Sequence, residues 1–498
     1  MAQMQDVRAA AFPAQISEIA VGWPRLVSSH PVAIFVLLSV LFGALTIALT
    51  PPLRGPDEPP HFIRAYGISL GEIVPSTTNA QGRKGIFIPA ELHREMQLYE
   101  LALGALYREE NVTYPNVLAA YSRLRAEAPV ASGVQAFNPQ VFTLYAGSEG
   151  YSPVPYLPYL PALALAHLLK LDFLSTFYLM RAAGFVVLTA VMTLAIAIVP
   201  HLKWTFVLIG LLPSALFSRA VLSTDGSALA CIMVVAALCL RSAYGLYNGG
   251  PWMRLLWMTL CVLSKPPQLV FILLEAMRCP LRHFASHWRS SAIVIIPAVA
   301  LAVLWAAVSS ADVAAWRILE GSTRPPEHFE PLWKLRFLVE QPWHFLLLLA
   351  GTYHYLDDYW LQLIGILGWL DMPLRPWVYP VLSAVLLATF CDPLELDPRT
   401  LRRVAAVAAL TVFGYCLAVF LIFYLVWTGL DAVQVEGVQG RYFVVVLPLV
   451  AITFAALVNQ GLSEPARAWT AIFGAILSGC ATLDAVLRAD WNLPLLPI

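Results

Sequence analysis

Apolar runs recur along this chain near residues 31–50, 151–171, 177–200, 204–222, 226–240, 252–277, 291–310, 343–356, 372–391, 404–427, 442–460 and 468–487. About twenty such residues make one crossing of a bilayer core. Of the 498 residues, 59% are hydrophobic and 12% charged, and the mean hydropathy is +0.70. A soluble globule does not carry that balance. The chain reads as an all-α polytopic membrane protein. The 31 basic and 31 acidic side chains cancel, which leaves no case for a nucleic-acid partner.

Basic loops set the expected orientation. Arg278 to Arg289, His201–Lys203, Arg241–Arg254 and Arg399–Arg403 all read as cytoplasmic. Residues 1–30 are then a cytoplasmic N-terminal segment, and 31–498 a single transmembrane domain. The loop 51–150, Asp225, and the 311–335 and 428–441 loops fall on the outer side. Two runs cannot be ordinary crossings under this assignment. Tyr151 to Pro161 holds prolines at 153, 155, 158 and 161, which no regular spanning helix accepts. It is expected as a partly inserted or surface-lying segment. The run 252–277 has basic flanks at both ends and is broken at Ser264-Lys265-Pro266-Pro267. It is either a hairpin of two half-helices with Lys265 near its tip or a kinked span with Lys265 snorkelling. Roughly nine full spans and three partial ones follow.

The first outer loop opens on Gly55-Pro56-Asp57-Glu58-Pro59-Pro60-His61. Carboxylates at the bilayer surface are costly and are by default candidates for function. The prolines place Asp57 and Glu58 on a stiff loop, with a helix from near Pro60 to about Gly71. Phe62, Ile63, Tyr66 and Leu70 would share one side of that helix, which reads as lying on the membrane. Alternatively the two acids only cap it.

Ionisable groups of both signs share the outer side: Asp57, Glu58, His61, Arg64, Asp225, Lys265, Lys334 and Arg441. A carboxylate there can take a proton from a hydroxyl, while lysine and arginine can hold a phosphate. Asp225, in Ser223-Thr224-Asp225-Gly226, is either a site residue or a helix cap. Arg441 follows two glycines and precedes a span. Its position near a helix start calls for an anionic partner, whether Asp57, Glu58 or a phosphate. Arg181, at the start of its run, reads as a snorkelling anchor. His61 with Asp57 and Glu58 lacks the second set of ligands that a dedicated metal site needs. All seven cysteines lie in or beside apolar segments, against a disulfide framework. Asn111-Val112-Thr113 is a weak match to a glycosylation sequon. No Walker loop, dinucleotide fingerprint or serine elbow is present.

Five motifs in order carry a resemblance: Pro56-Asp57-Glu58-x-x-His61, Ser223-x-Asp225, Leu263-Ser264-Lys265-Pro266, Gly365-x-x-Gly368-Trp369-Leu370-Asp371 and Gly437-x-Gln439-Gly440-Arg441-Tyr442-Phe443. With an acidic pair opening its first outer loop, the chain resembles the GT-C superfamily of membrane glycosyltransferases. It is similar to the protein O-mannosyltransferases, the aminoarabinose transferase of lipid A, and a bacterial multi-span family of unassigned function. The resemblance implies a GT-C-like helix bundle with periplasmic loops and juxtamembrane helices, in the bacterial inner membrane. It implies a sugar donor on polyprenyl phosphate, such as undecaprenyl phosphate, and transfer on the periplasmic side with inversion at the anomeric carbon. The acceptor would be a hydroxyl of a periplasmic glycan, lipid or protein. Asp57 maps to the base, with Glu58 and Asp225 as further catalytic carboxylates. Lys265 and Arg441 map to the phosphate, and His61, Arg64, Gln439 and Tyr442 are the remaining substrate contacts. A divalent cation, Mg or Mn, is compatible with such a site. The larger relatives carry a soluble C-terminal domain that this sequence does not show, so the 51–150 loop is the expected acceptor platform. Two other classes fit the residues: a glycan polymerase or ligase using a lipid diphosphate, and a transporter or flippase.

Overall fold

The computed structural model describes residues 29–108, 112–127, 140–278, 284–319 and 330–497. Residues 1–28 of the N-terminal segment, Asn111 of the sequon, 279–283 of the basic loop and 320–329 of the 311–335 loop therefore lie outside the described residues, and the expected 311–335 loop is helical up to Leu319 and again from Pro331. The protein is an all-α polytopic membrane protein. Among the described residues, seven helices are long and apolar enough to cross a membrane: Pro31–Leu49, Phe173–Ile198, Thr224–Ala243, Trp288–Ser309, Pro398–Val426, Gly440–Val458 and Glu464–Trp491.

Two expected crossings are not single long helices. The run 204–222 is split into Lys203–Leu211 and Pro213–Ala220, because Leu212, which precedes a proline, is extended at ψ 147. The run 372–391 yields only Val378–Thr389, twelve residues. The 252–277 run is a hairpin, as one of its two readings required. The helix Gly250–Ser264 is followed by a 3-10 helix, Pro266–Met277. Arg254 of the first arm pairs with Glu275 of the second, so the arms run antiparallel with Lys265 at the turn. At about 1.5 and 2.0 Å per residue, the arms reach roughly 22 and 24 Å.

The first loop folds against the start of the Phe173–Ile198 helix over a second apolar core, built around Phe62, Tyr99, Tyr121, Phe173 and Phe177. An antiparallel pair, Gly85–Pro89 with Gln140–Leu144, encloses the helices Ala90–Arg108 and Tyr114–Glu127. This corrects the expected membrane-lying helix. It runs Glu58–Ser69, and Phe62, Ile63, Arg64, Ala65 and Tyr66 on all its sides are buried. It starts two residues earlier than expected because Pro59 and Pro60 occupy its first turn, where backbone N–H groups have no helical acceptor.

The Pro-rich segment is a 3-10 helix, Val154–Tyr159, leading into Leu160–Leu169. It clamps two neighbours. Ser152 Oγ donates to Leu263 O at the hairpin tip, 2.6 Å, and Ser227 Oγ donates to Pro155 O, 2.9 Å. The segment thus brings the hairpin tip and the start of Thr224–Ala243 to one place.

Candidate functional site

Four chain segments deliver their charged residues to one face of the bundle. Asp57 follows the first span and occupies the left-handed region, φ 57, which Asp and Asn tolerate better than most residues. Asp225 opens the Thr224–Ala243 helix, where Ser223 Oγ accepts its N–H at 3.0 Å. The Ser223 side chain therefore performs the capping, and the Asp225 carboxylate is released for other partners. Lys265 is the hairpin tip. Arg441 begins the 3-10 turn Gly440–Val446.

Asp225 pairs with both cations: Lys265 Nζ at Oδ1 and Arg441 Nε 3.5 Å from Oδ2. Arg441 Nη2 lies 3.3 Å from Asp57 Oδ2. Of the two side-chain partners expected for Arg441, Asp57 is the one it meets, and Asp225 joins it. The Tyr442 ring lies against both cations, 4.8 Å from Lys265 Nζ and 5.6 Å from Arg441 Cζ, an arrangement that favours positive charge. Its backbone is held by Tyr415, whose hydroxyl donates to Tyr442 O at 3.0 Å.

Glycine is needed at 440. A Cβ there would fall 2.0 Å from Tyr359 O, and Gly440 N donates to Gln362 Oε1 at 2.7 Å. The chain can therefore lie against the Leu356–Gly365 helix and aim Arg441 inward. Gln439 is beside it with Oε1 buried and without a hydrogen-bond partner.

A cleft of about 460 Å3, counting the solvent at its mouth, opens beside Asp225 and Arg441. Pro56 and Gly368 stand with them on its wall, and Phe217, Leu229, Val444 and Val445 are among its apolar lining. Asp57 has 47% of its side chain exposed, Asp225 only 15%.

The other acid of the opening pair is placed differently. Glu58 is fully buried and both of its oxygens are spent. Arg181 Nε and Nη2 donate to them at 2.9 and 2.7 Å, and the amides of Leu222 and Gly55 each add a bond of 2.8 Å. Arg181 is fully buried too, so it is not a snorkelling anchor. Its remaining donors close the end of the first span through Thr50 O and Pro51 O. Glu58 is thus a clasp, whereas its neighbour Asp57 is half-exposed and paired with Arg441.

Arg64 and Lys334, both expected in the set, are elsewhere. Arg64 donates to the carbonyls of Glu72, Ile73 and Tyr151 and supports the first-loop module. Lys334 is fully buried, bonded to Tyr424 O and Thr428 O at the end of another helix. Asp371 of the Gly365–Asp371 motif pairs with Arg54, which also holds Asp490.

His61 adjoins the cluster. Burial pushes its pKa down to about 4, against the opposing pull of Asp57, so the ring is neutral. Its Nδ1 lies 2.9 Å from Tyr156 Oη, and its edge meets Tyr151 at 5.5 Å. Burial, with Asp225 and Asp57 adding, raises the Tyr151 phenol. Sequence reading missed Tyr151 and Tyr156 as site neighbours. Their signal was the density of tyrosine in a Pro-rich segment too irregular to be a span. Among the described residues no three His, Cys, Asp or Glu side chains gather as metal ligands.

A family model covers residues 40–450. The chain belongs to the DUF2142 family, described as predicted membrane proteins. The match begins inside the first span and runs through Arg441, so all five motifs lie within it. No curated protein and no solved structure matches the chain.

Proposed function

We propose that this DUF2142 protein is an integral membrane glycosyltransferase of the GT-C kind. It moves a sugar from a polyprenyl-phosphate donor to a hydroxyl of a periplasmic glycan, lipid or protein, at the outer face of a bacterial inner membrane. The linkage of Asp57, Asp225, Lys265 and Arg441 in one line of ion pairs, with Asp225 and Arg441 on the cleft wall, carries this reading. One exposed carboxylate next to caged cations is the division of labour that such a transfer needs.

In this reaction Asp57 Oδ takes the proton of the acceptor hydroxyl. The acceptor oxygen attacks the anomeric carbon from the side opposite the phosphate. The bond from that carbon to the phosphate oxygen breaks, and its electron pair leaves on the lipid phosphate. Lys265 and Arg441 receive the charge that builds there. Inversion follows from the single displacement. Asp225 touches both cations and orients them. Gln439 and Tyr442 flank Arg441 and complete the phosphate side, and His61 stands neutral beside the base. Glu58 and Arg64 take no part in the chemistry: both Glu58 oxygens are held by Arg181 and backbone amides, and the terminal nitrogens of Arg64 are held by the carbonyls of Glu72, Ile73 and Tyr151.

The test is Asp57→Asn in a strain whose surface glycan is known. Loss of the modification at normal protein level is expected. Full glycosylation by that variant would refute the assignment of the base. Consumption of a lipid diphosphate carrying many sugars would replace the donor with that of a polymerase or ligase.

A further inference from the structure

The charged groups of the site form a line of alternating sign: Lys265, Asp225, Arg441, Asp57. Asp225 sits inside the line and gives one oxygen to each cation. Asp57 is at the end. Its ion pair is with Arg441 alone, at 3.3 Å, and nearly half of its side chain meets solvent. Two cations against two carboxylates leave the group neutral.

A phosphate that docks on these cations therefore competes with a carboxylate for one of them. The contacts decide which one. Asp225 is enclosed, hydrogen-bonded to Lys265 and ion-paired with Arg441 at 3.5 Å, whereas Asp57 is half-exposed and holds Arg441 through one hydrogen bond of 3.3 Å. A single long ion pair open to water is worth little, about 0–1 kcal/mol. Hydrogen bonding at Arg441 is also incomplete. Its Nε is buried with no hydrogen bond, as is Oε1 of Gln439 two residues before. A ligand carrying both acceptor oxygens and a hydroxyl satisfies both atoms.

The geometry points to an exchange at Arg441: the phosphate of the donor and the carboxylate of Asp57 are alternative partners of one guanidinium, and donor docking frees the base. This rests on the reading of Asp57 as base and Arg441 as phosphate holder. With Arg441 turned to the phosphate, the Asp57 oxygen that had faced the guanidinium is free to accept the acceptor hydroxyl. The acceptor proton moves to Asp57 Oδ only in the donor-loaded site, which sets the order of events as donor first.

The exchange is read by binding, without turnover. Undecaprenyl phosphate is titrated onto the full-length protein in detergent micelles, comparing wild type, Asp57→Asn, Asp57→Ser, Asp57→Glu and Arg441→Gln. Each variant is first checked for a monodisperse gel-filtration peak. Removing the competing charge in Asp57→Asn or Asp57→Ser tightens binding roughly three- to fivefold. Asp57→Glu keeps the charge and stays within about twofold of wild type, while Arg441→Gln loses most of the affinity. If the two neutral variants at 57 bind no tighter than wild type and Arg441→Gln is impaired, the exchange is wrong and the phosphate role of Arg441 stands. If Arg441→Gln binds as well as wild type, the phosphate role itself falls, and the exchange falls with it.

Discussion

Asp57 and Glu58 are adjacent, and opposite consequences are expected when each is changed. Glu58→Ala removes a carboxylate that receives two bonds from Arg181 and one each from the Gly55 and Leu222 amides. Both members of the ion pair are fully buried. Deleting one partner of such a pair leaves an uncompensated charge, at a cost of about 3–5 kcal/mol. Each amide that loses its acceptor adds on the order of 1–3 kcal/mol if it finds no other. These contributions overlap, so about 4 kcal/mol is the expected total. Asp57→Asn loses one long, half-exposed ion pair and keeps a residue type suited to positive φ, so less than about 1 kcal/mol is expected. The assay is thermal unfolding of the purified proteins in one detergent, followed by loss of the monodisperse gel-filtration peak. Glu58→Ala should melt several degrees below wild type, and Asp57→Asn close to it. The double variant Glu58→Leu with Arg181→Met, which removes both charges, should recover part of the loss. A Glu58→Ala protein as stable as wild type, or a double variant worse than the sum of its singles, would refute the clasp.

Lys265→Met should abolish transfer while leaving the fold in place, because one of its ion partners, Asp225, keeps Arg441 nearby; activity in lysate and yield of folded protein check this together. Gly440→Ala should reduce both folded yield and activity, since a Cβ meets Tyr359 O at 2.0 Å and the backbone there cannot retreat without losing the Gln362 bond. His61 has an ordinary pKa of 6.5 and is held near 4 in the fold. Its neutral form is therefore the one the fold accepts. Stability is undiminished above about pH 6.5 and falls as pH drops from there toward 4, by up to about 3 kcal/mol from this group. Melting temperatures of wild type and His61→Gln across that range test the sign: the variant should show a shallower decline.

Much of the architecture was legible because membrane burial writes itself into composition. Apolar runs with basic flanks mark the helices, and paired prolines mark where helices break. Ser264-Lys265-Pro266-Pro267 between two basic ends was enough to suggest a hairpin tip, since a span with both flanks on one side has to return. The places where length misled are local. Pro213 extends the residue before it and cuts one run in two, a rule that acts within the run but that hydropathy averaging hides. The helix after Asp57 is buried, not surface-lying, because its partners come from later in the chain. Phe173 and Phe177 pack on Phe62, His167 on Tyr66, and Tyr145 and Ile86 lie beside Gly67.

The sequence by itself determined that this is a helical membrane protein, that acids and bases gather near segment ends, and which five motifs carry them. Only the tertiary structure decided how the acidic pair divides its work. The decision depends on Arg181, which is 123 residues from Glu58, and on Arg441, which is 384 residues from Asp57. Two carboxylates side by side in a chain are chemically alike. They become a clasp and a solvent-facing acid only when packing buries one guanidinium against the first and leaves the second half-exposed beside another.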